Sequence, residues 1–190
     1  MKTITFLLFF TFSVSSLLAQ DFYLNANGLT CMCTDAAIGA EGVVNGITYT
    51  KRTKEQITPA NATTTCTSGI VDMSSLFLNE SNFDEDLSSW DVSKVTTMIN
   101  MFDGSGLTTE NYDNILIGWQ SLGSLSNGVT LGAIDTKYCF GAAARAIIEA
   151  QFQWVFEDDG MCQPLNVGDY LNSESVTVFP NPTNDFLMID

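Results

Sequence analysis

A repeat with a period of 25 residues lies in the middle of this chain of 190 residues. The segment 70–77 (IVDMSSLF) recurs as the segment 95–102 (VTTMINMF), and apolar residues return to the same places in both copies. A fixed period of this length is typical of solenoids, in which each unit buries its apolar face against the next one. Such proteins mostly bind through an extended surface. The repeat therefore predicts a stacked structure with a binding role, but it does not identify the ligand.

Strands and helices are predicted to alternate after residue 62. Apolar residues at i, i+3, i+6 and i+7 predict helices over 70–77 and 95–102, with Ser68 and Ser93 as their N-caps. Further helices are predicted at 108–119 and 141–151, and strands at 63–66, 87–90, 129–131 and 154–156. Alternation at this spacing implies parallel strands joined by right-handed crossovers. The predicted fold class is α/β, a short right-handed α/β solenoid of about four rungs.

A small β cap is predicted before the repeats. Residues 21–25 suit a short strand, and Asn45-Gly46 stands between β-forming residues, which is the strongest short signal for a hairpin. A short helix is predicted at 53–57, ending before Pro59. These elements would cover the open end of the solenoid.

Residues 1–19 have the layout of a secretory signal peptide. Lys2 is followed by a short apolar run, and Ala19 precedes the expected cleavage point. The apolar run is too short to span a bilayer, although a retained membrane anchor is the alternative. Cleavage would leave 6 basic and 22 acidic residues, a net charge of −16. Such a charge repels phosphate backbones and anionic lipid, so we expect neither nucleic-acid binding nor membrane insertion.

The residue types available limit the chemistry. The chain has no His, so it lacks the commonest general base and the commonest zinc ligand, and no Ser-His or Cys-His pair is possible. The acidic runs 84–86 and 157–159 are the candidates for a glycosidase pair or a calcium site. Consecutive residues point to alternate faces, and the second run lacks the spacing of a calcium loop, so we favour solvated edges and expect no cofactor or metal.

Five Cys lie in the exported part, where an oxidising compartment favours two disulfides and one free thiol. Cys31 and Cys33 are too close in sequence to join each other easily. We expect Cys33 to pair with Cys66 and Cys139 with Cys162, which leaves Cys31 free. Metal binding by Cys31 and Cys33 is the alternative.

The C-terminal segment is set apart from the repeats. Residues 20–162 form the predicted repeat domain, and residues 163–175 form a polar linker. Residues 176–190 then have the pattern of strand, turn and strand around Pro180-Asn181-Pro182. The chain ends in the second of these strands, so we expect a truncated domain.

The unit 83–102 resembles the repeat of the BspA-like, leucine-rich-repeat-related family of bacterial surface proteins. The resemblance covers residues 22–162 and implies a solenoid like that of leucine-rich repeats, but this chain has barely more than one full unit and has Asp84 where Asn is usual. The residues that carry the motif are Phe83, Asp86, Leu87, Ser88, Trp90, Asp91, Val92, Ser93, Val95, Thr96, Met98, Met101 and Phe102.

Residues 178–185 resemble the start of the C-terminal sorting domain of type IX secretion substrates, a β-sandwich of which Pro180, Asn181 and Pro182 carry the motif. This resemblance implies that the type IX secretion machinery is a partner. It also implies a secreted protein, or one on the outer-membrane surface of a Gram-negative bacterium.

Three functions remain open at this point. The first is a binding or adhesion module whose sheet face contacts a protein or glycan ligand at a surface. The second is a secreted hydrolase that uses carboxylates, with Asp86 and Asp158 as candidates. The third is a scaffold or spacer domain without a ligand.

Overall fold

The sequence repeat is also a repeat of backbone hydrogen bonds. The computed structural model describes residues 21–163 and the strands Val178–Pro180 and Leu187–Ile189. In it, the N–H groups of alternate residues in one copy of the repeat donate to carbonyl groups 24 positions later. The four donors Met73, Ser75, Phe77 and Asn79 bind the carbonyls of Thr97, Ile99, Met101 and Asp103. Two chain segments separated by one repeat therefore lie side by side and parallel.

The N-terminal cap contains two hairpins. Strands β1 (Tyr23–Leu24) and β2 (Cys31–Met32) pair antiparallel, as do β3 (Glu41–Val44) and β4 (Ile47–Lys51). The predicted turn Asn45-Gly46 is confirmed, since both residues have the positive φ angles (51° and 80°) that this tight turn requires. The predicted helix at 53–57 is one 3₁₀ turn, Lys54–Gln56, and is followed by another, Pro59–Thr64. Strand β5 (Thr65–Cys66) then pairs parallel with β4.

The predicted helices at 70–77 and 95–102 are wrong, because both segments consist of turns and isolated bridges. Ser75 and Asn100, which are 25 residues apart, have φ angles of 57° and 56°, which an α-helix cannot contain. Neither predicted N-cap begins a helix. Ser93 donates its N–H to Asp91, and the Ser68 hydroxyl accepts the N–H of Cys33. The apolar residues at helical spacing are nevertheless buried, apart from Ile70 and Leu76, which are partly buried.

The predicted strand at 87–90 is also wrong. Its residues form a turn closed by a 3.0 Å hydrogen bond from the N–H of Trp90 to the carbonyl of Leu87. A carboxylate oxygen of Asp86 accepts the N–H of Ser88 at 2.8 Å, which holds the chain in this bend. A short polar side chain that binds the backbone two residues later favours turns over strands.

The second half of the domain follows the prediction closely. Helix α1 (Thr109–Gln120) begins after the N-cap Thr108, whose side chain accepts the N–H of Asn111. Strand β6 (Thr130–Ala133), helix α2 (Ala142–Phe152) and strand β7 (Val155–Asp158) come next, and β6 pairs parallel with β7. Beyond residue 163, strands β8 (Val178–Pro180) and β9 (Leu187–Ile189) pair antiparallel.

The parallel pairs join into one ladder that crosses the domain. Asp72 pairs with Thr97, Met98 with Leu131, and Leu131 with Phe156. We call the segments 72–75, 97–100, 130–133 and 155–158 the parallel ladder. Within the part of the chain that the structure describes, the architecture is mixed α/β with small sheets and no closed barrel.

The core beneath the ladder is built around aromatic side chains. Phe77 stacks on Phe83 with ring centroids 3.8 Å apart, and Phe102 stacks on Trp119 at 6.5 Å. Trp119 in turn meets Trp154 edge-on at 6.4 Å. Each of these five rings is at least 98 % buried, so the column they form excludes water from one end of the repeats to the other.

The three Trp residues join successive turns of the chain. Each indole N–H donates to a carbonyl about one repeat earlier: Trp90 to Ala62 at 3.0 Å, Trp119 to Leu87 at 3.0 Å and Trp154 to Ser126 at 2.8 Å. The carbonyls of Ala62 and Leu87 also accept a backbone N–H, from Thr65 and Trp90, so the indole adds a second hydrogen bond at these two carbonyls. Trp thus supplies both apolar area and a polar link between turns.

Two disulfides fix the two ends of the domain. Cys33 is joined to Cys66 and Cys139 to Cys162, the pairs named in the sequence analysis, and Cys31 is free and buried. The first bond attaches the cap to the strand before the repeats. The second attaches the loop before α2 to the residues that follow β7. Because Cys33 is consumed in a disulfide, it is not available as the second thiolate of a metal site with Cys31.

We expect the Cys31 thiol to be inert in the folded protein. Burial, with a smaller contribution from the charge of Asp91, raises its pKa to about 12, so almost no thiolate is present near neutral pH. At pH 8 a thiol reagent should label no Cys in the native chain, one in the unfolded oxidised chain, and all five after reduction. Rapid labelling of the native chain would contradict this environment.

Replacing the middle Trp should weaken the stack strongly. Trp119→Phe removes the donor to the Leu87 carbonyl and leaves space in a filled core, so we expect a loss of about 2–4 kcal/mol in the free energy of unfolding. Ile117→Ala on the exposed side of the same helix is the matched control, with an expected change below about 1 kcal/mol. Urea unfolding of the oxidised proteins measures both, and equal losses would disprove the role assigned to Trp119.

Candidate binding face and basic cleft

The residues of the repeat motif lie almost entirely inside the protein. Of the thirteen motif residues named above, Asp86 and Thr96 are exposed, Ser93 is partly exposed, and the other ten are buried. The buried members are Phe83, Leu87, Ser88, Trp90, Asp91, Val92, Val95, Met98, Met101 and Phe102. The motif therefore builds the core and the turns, and a ligand must contact other residues.

The outward side of the parallel ladder is the most extended regular surface of the repeats. In register, Asp72 lies beside Thr97, Thr97 beside Thr130, and Thr130 beside Val155, and all four keep part of their surface exposed. The neighbouring outward positions hold Ser74, Ile99 and Glu157, while the residues between them are mostly buried. We call these seven residues the outer face. It combines hydroxyl groups, carboxylates and isolated apolar side chains.

Asp72 is held in place at one edge of the outer face. Its carboxylate accepts the hydroxyl and the N–H of Ser74, and the ammonium group of Lys54 lies 2.9 Å away. The hydrogen bonds from Ser74, followed by the one from Lys54, lower the pKa of Asp72 to about 2. This carboxylate is therefore ionised near neutral pH. It is half exposed, so the ion pair itself adds little to stability.

A cleft of about 400 Å³ opens beside Asp72, between the cap and the first repeat. Its lining includes Lys51, Arg52 and Lys54, which are three of the six basic residues within 21–163. We call this the basic cleft. The lining also includes Ile38, Thr53, Glu55, Ser68, Val71 and Asp72.

Each basic side chain is anchored to backbone or side-chain oxygens. The ammonium group of Lys51 donates to the carbonyls of Cys33 and Thr34 at 2.8 and 3.0 Å. One terminal nitrogen of Arg52, Nη1, donates to Thr64 and Thr65 at 3.0 and 2.9 Å. The cations are thus positioned by the chain rather than left to rotate freely. This cleft was not predicted from the sequence, although three basic residues within four positions of an acidic chain do indicate a local positive charge.

Two carboxylates of the first acidic run accept hydrogen bonds that hold the chain in place. Asp84 accepts the N–H and hydroxyl of Thr108, both at 2.9 Å, and the side-chain amide of Asn111 at 2.8 Å. Desolvation opposes ionisation of Asp84, but these hydrogen bonds outweigh it and lower its pKa. Asp84 thus connects the repeat to the start of α1, while Asp86 binds the N–H of Ser88 in its own turn.

The second acidic run is likewise committed to structure. The Asp158 side chain is 2 % exposed and accepts Arg145 Nε at 2.9 Å and the Tyr112 hydroxyl at 3.0 Å. Burial, followed by the charge of Asp158, raises the pKa of Tyr112 well above its ordinary value, so Tyr112 remains a neutral donor. Arg145 also lies over the rings of Tyr138 and Phe156, at 4.8 and 4.5 Å. The group links α1, α2 and β7.

The candidate metal ligands are not gathered in one place. Within residues 21–163, no three His, Cys, Asp or Glu side chains come together so that they could hold a metal ion. Asp158 is neutralised by Arg145, and a carboxylate oxygen of Asp159 accepts the N–H of Asp135 at 3.3 Å.

Two other predicted regions lie wholly or partly outside the described residues. These are the signal peptide at 1–19 and the linker at 163–175, of which only Gln163 is described. In the sorting motif, Pro180 ends β8, whereas Asn181 and Pro182 are outside the described residues. Among the helices that the structure describes, none has the length and apolar character needed to cross a membrane.

One comparison with known proteins gives a match. A family model described as a Mycoplasma protein of unknown function, DUF285, matches residues 47–120, from the start of β4 to the end of α1. The match covers less than half of the chain and is loosely consistent with a surface repeat of the BspA-like kind. No curated protein and no solved structure matches the chain.

Asp158→Asn tests whether this carboxylate is structural. Removing the charge leaves the mostly buried guanidinium of Arg145 with only the exposed carboxylate of Glu149, 3.3 Å away, as a counter-ion, and we expect a loss of about 3 kcal/mol in the free energy of unfolding. The neighbouring Asp159→Asn is the matched control, with a loss below about 1 kcal/mol because Asp159 is exposed. A catalytic Asp158 would instead give a folded, stable variant that loses turnover on a polysaccharide panel.

Proposed function

We propose that this protein is a binding module displayed outside the cell, and that its ligand contacts the outer face of the parallel ladder. The observation that carries the proposal is the ladder itself. It brings polar side chains from four separate segments of the chain into one surface, while the repeat motif is buried beneath them. Binding over such a surface is the usual role of stacked repeats.

The same ladder supports the finer proposal of a short solenoid like that of leucine-rich repeats. Two copies of the repeat share a left-handed residue at the same place, Ser75 and Asn100. Their N–H and carbonyl groups pair across one repeat length, and three indole groups link successive turns. Each turn thus contacts mainly its neighbours, as expected for a solenoid.

Display outside the cell is supported by two observations. The two disulfides are stable in an oxidising compartment and rare in a reducing one. The family match over residues 47–120 is compatible with a surface repeat. We propose that the segment 1–19 directs export, and that the type IX machinery recognises the segment beginning at residue 176.

The carboxylate hydrolase is the less favoured alternative. Hydrolysis by two carboxylates requires both groups to face one substrate across a gap of about 5–10 Å. Asp84, Asp86 and Asp158 instead accept hydrogen bonds from the backbone or from side chains of their own structural units. These hydrogen bonds give each carboxylate a structural role that does not require a substrate.

A change on the outer face should abolish ligand capture. The full chain, immobilised, is screened against host matrix proteins and a glycan array. Ile99→Asp places a charge in the outer face, and we expect affinity for the captured ligand to fall about tenfold or more. Ile117→Asp is the matched control, because Ile117 is similarly exposed (45 % against 48 %) but lies on α1.

The control variant should bind as the unmodified chain does. An equal effect of the two variants, or no capture in either screen, would contradict the proposed binding face.

A further inference from the structure

The basic cleft concentrates positive charge on a strongly acidic protein. The whole chain has a net charge of −15, yet Lys51, Arg52 and Lys54 lie around one opening. An acidic surface repels anions, so a local group of cations is the place where an anionic ligand is attracted. Lys54 also donates to Asp72 and Ser74, so the cleft borders the outer face.

The cations retain hydrogen-bond donors that the described residues do not use. Lys51 and Lys54 each donate to two oxygens, and an ammonium group has three N–H bonds. Arg52 uses only Nη1, so Nε and Nη2 have no partner within residues 21–163. An Arg side chain presents such a pair of N–H groups in the spacing that binds both oxygens of a carboxylate.

The remaining lining suits a ligand that also carries hydroxyl groups. Glu55 and Asp72 offer acceptors, while Thr53 offers a hydroxyl group. Val71 and Ile38, which are 55 % and 53 % exposed, offer apolar contacts for the C–H face of a ring. A peptide with several acidic side chains would meet repulsion from Glu55 and Asp72. Sugar hydroxyls, in contrast, can donate to both carboxylates.

We propose that the basic cleft binds a uronic-acid unit of an acidic polysaccharide. Its carboxylate is held by Nε and Nη2 of Arg52 with the spare N–H group of Lys54, and its hydroxyls face Glu55 and Asp72. This inference rests on the proposed binding function and gives its ligand a chemical class. The volume of the cleft, about 400 Å³, is sufficient for a single sugar unit.

The probe is trigalacturonic acid, compared with its methyl ester, which keeps the shape and removes the charge. Calorimetric titration of the full chain should give binding of the acid that weakens with added salt, and binding of the ester at least about tenfold weaker. Equal affinities for acid and ester, or no heat with either, would overturn the inference. So would an oligoglutamate peptide that binds more tightly than the sugar.

Substitutions locate the site. Lys54→Gln should weaken binding of the acid about tenfold. The matched Lys94→Gln removes a charge at an exposed position outside the cleft and should leave affinity unchanged. Val71→Glu adds a carboxylate at the exposed cleft edge without disturbing the core, and it should weaken binding, whereas Val71→Gln should not. Equal effects of Lys54→Gln and Lys94→Gln would overturn the assignment.

The two proposals can fail separately. If trigalacturonic acid does not bind but Ile99→Asp still abolishes capture of another ligand, only the uronic-acid inference is lost. If the acid binds and depends on Lys54, yet Ile99→Asp changes no captured ligand, the cleft stands and the outer face is not the binding surface.

Discussion

The pairing of one repeat with the next is the constraint on which the rest of this structure depends. In the segments around residues 75 and 100, the backbone N–H groups find their acceptors one repeat later rather than four residues earlier. A buried backbone must pair all its polar groups, so neither segment is a complete structural unit by itself. The side chains between those hydrogen bonds become the shared core, and residues on the opposite side form the outer face.

The aromatic residues make this pairing stable over more than one layer. Trp90, Trp119 and Trp154 each reach back about one repeat and donate to a backbone carbonyl, a link between turns that an aliphatic side chain could not make. Their rings also fill the space beneath the ladder. The same three side chains therefore provide apolar burial and a polar link, which explains why Trp occurs once per turn of the chain.

Prediction from the sequence succeeded where local chemistry determines the structure. The turn at Asn45-Gly46, the cap at Thr108 and the bounds of α1 and α2 depend on neighbours within a few residues. It failed for the two repeat segments, because buried residues at i, i+3 and i+7 arise equally from a helix and from successive bends. The information that distinguishes them is the left-handed backbone at Ser75 and Asn100 and the partner one repeat away. Neither residue type signals that by itself.

The site was harder to predict than the fold because the charged residues have two different roles. Most carboxylates that attracted attention, such as Asp84 and Asp158, accept hydrogen bonds that hold turns and helices in place. In the sequence these carboxylates look like catalytic groups, but in the structure they hold neighbouring segments together. The few cations have both roles as well. Arg145 is paired with Asp158 in the interior, whereas Arg52 lines an opening and keeps N–H groups that the described residues do not use. On a chain with this net charge, the fold gathers three of its few cations at the junction between the cap and the first repeat, and this is the place where we propose that an anion binds.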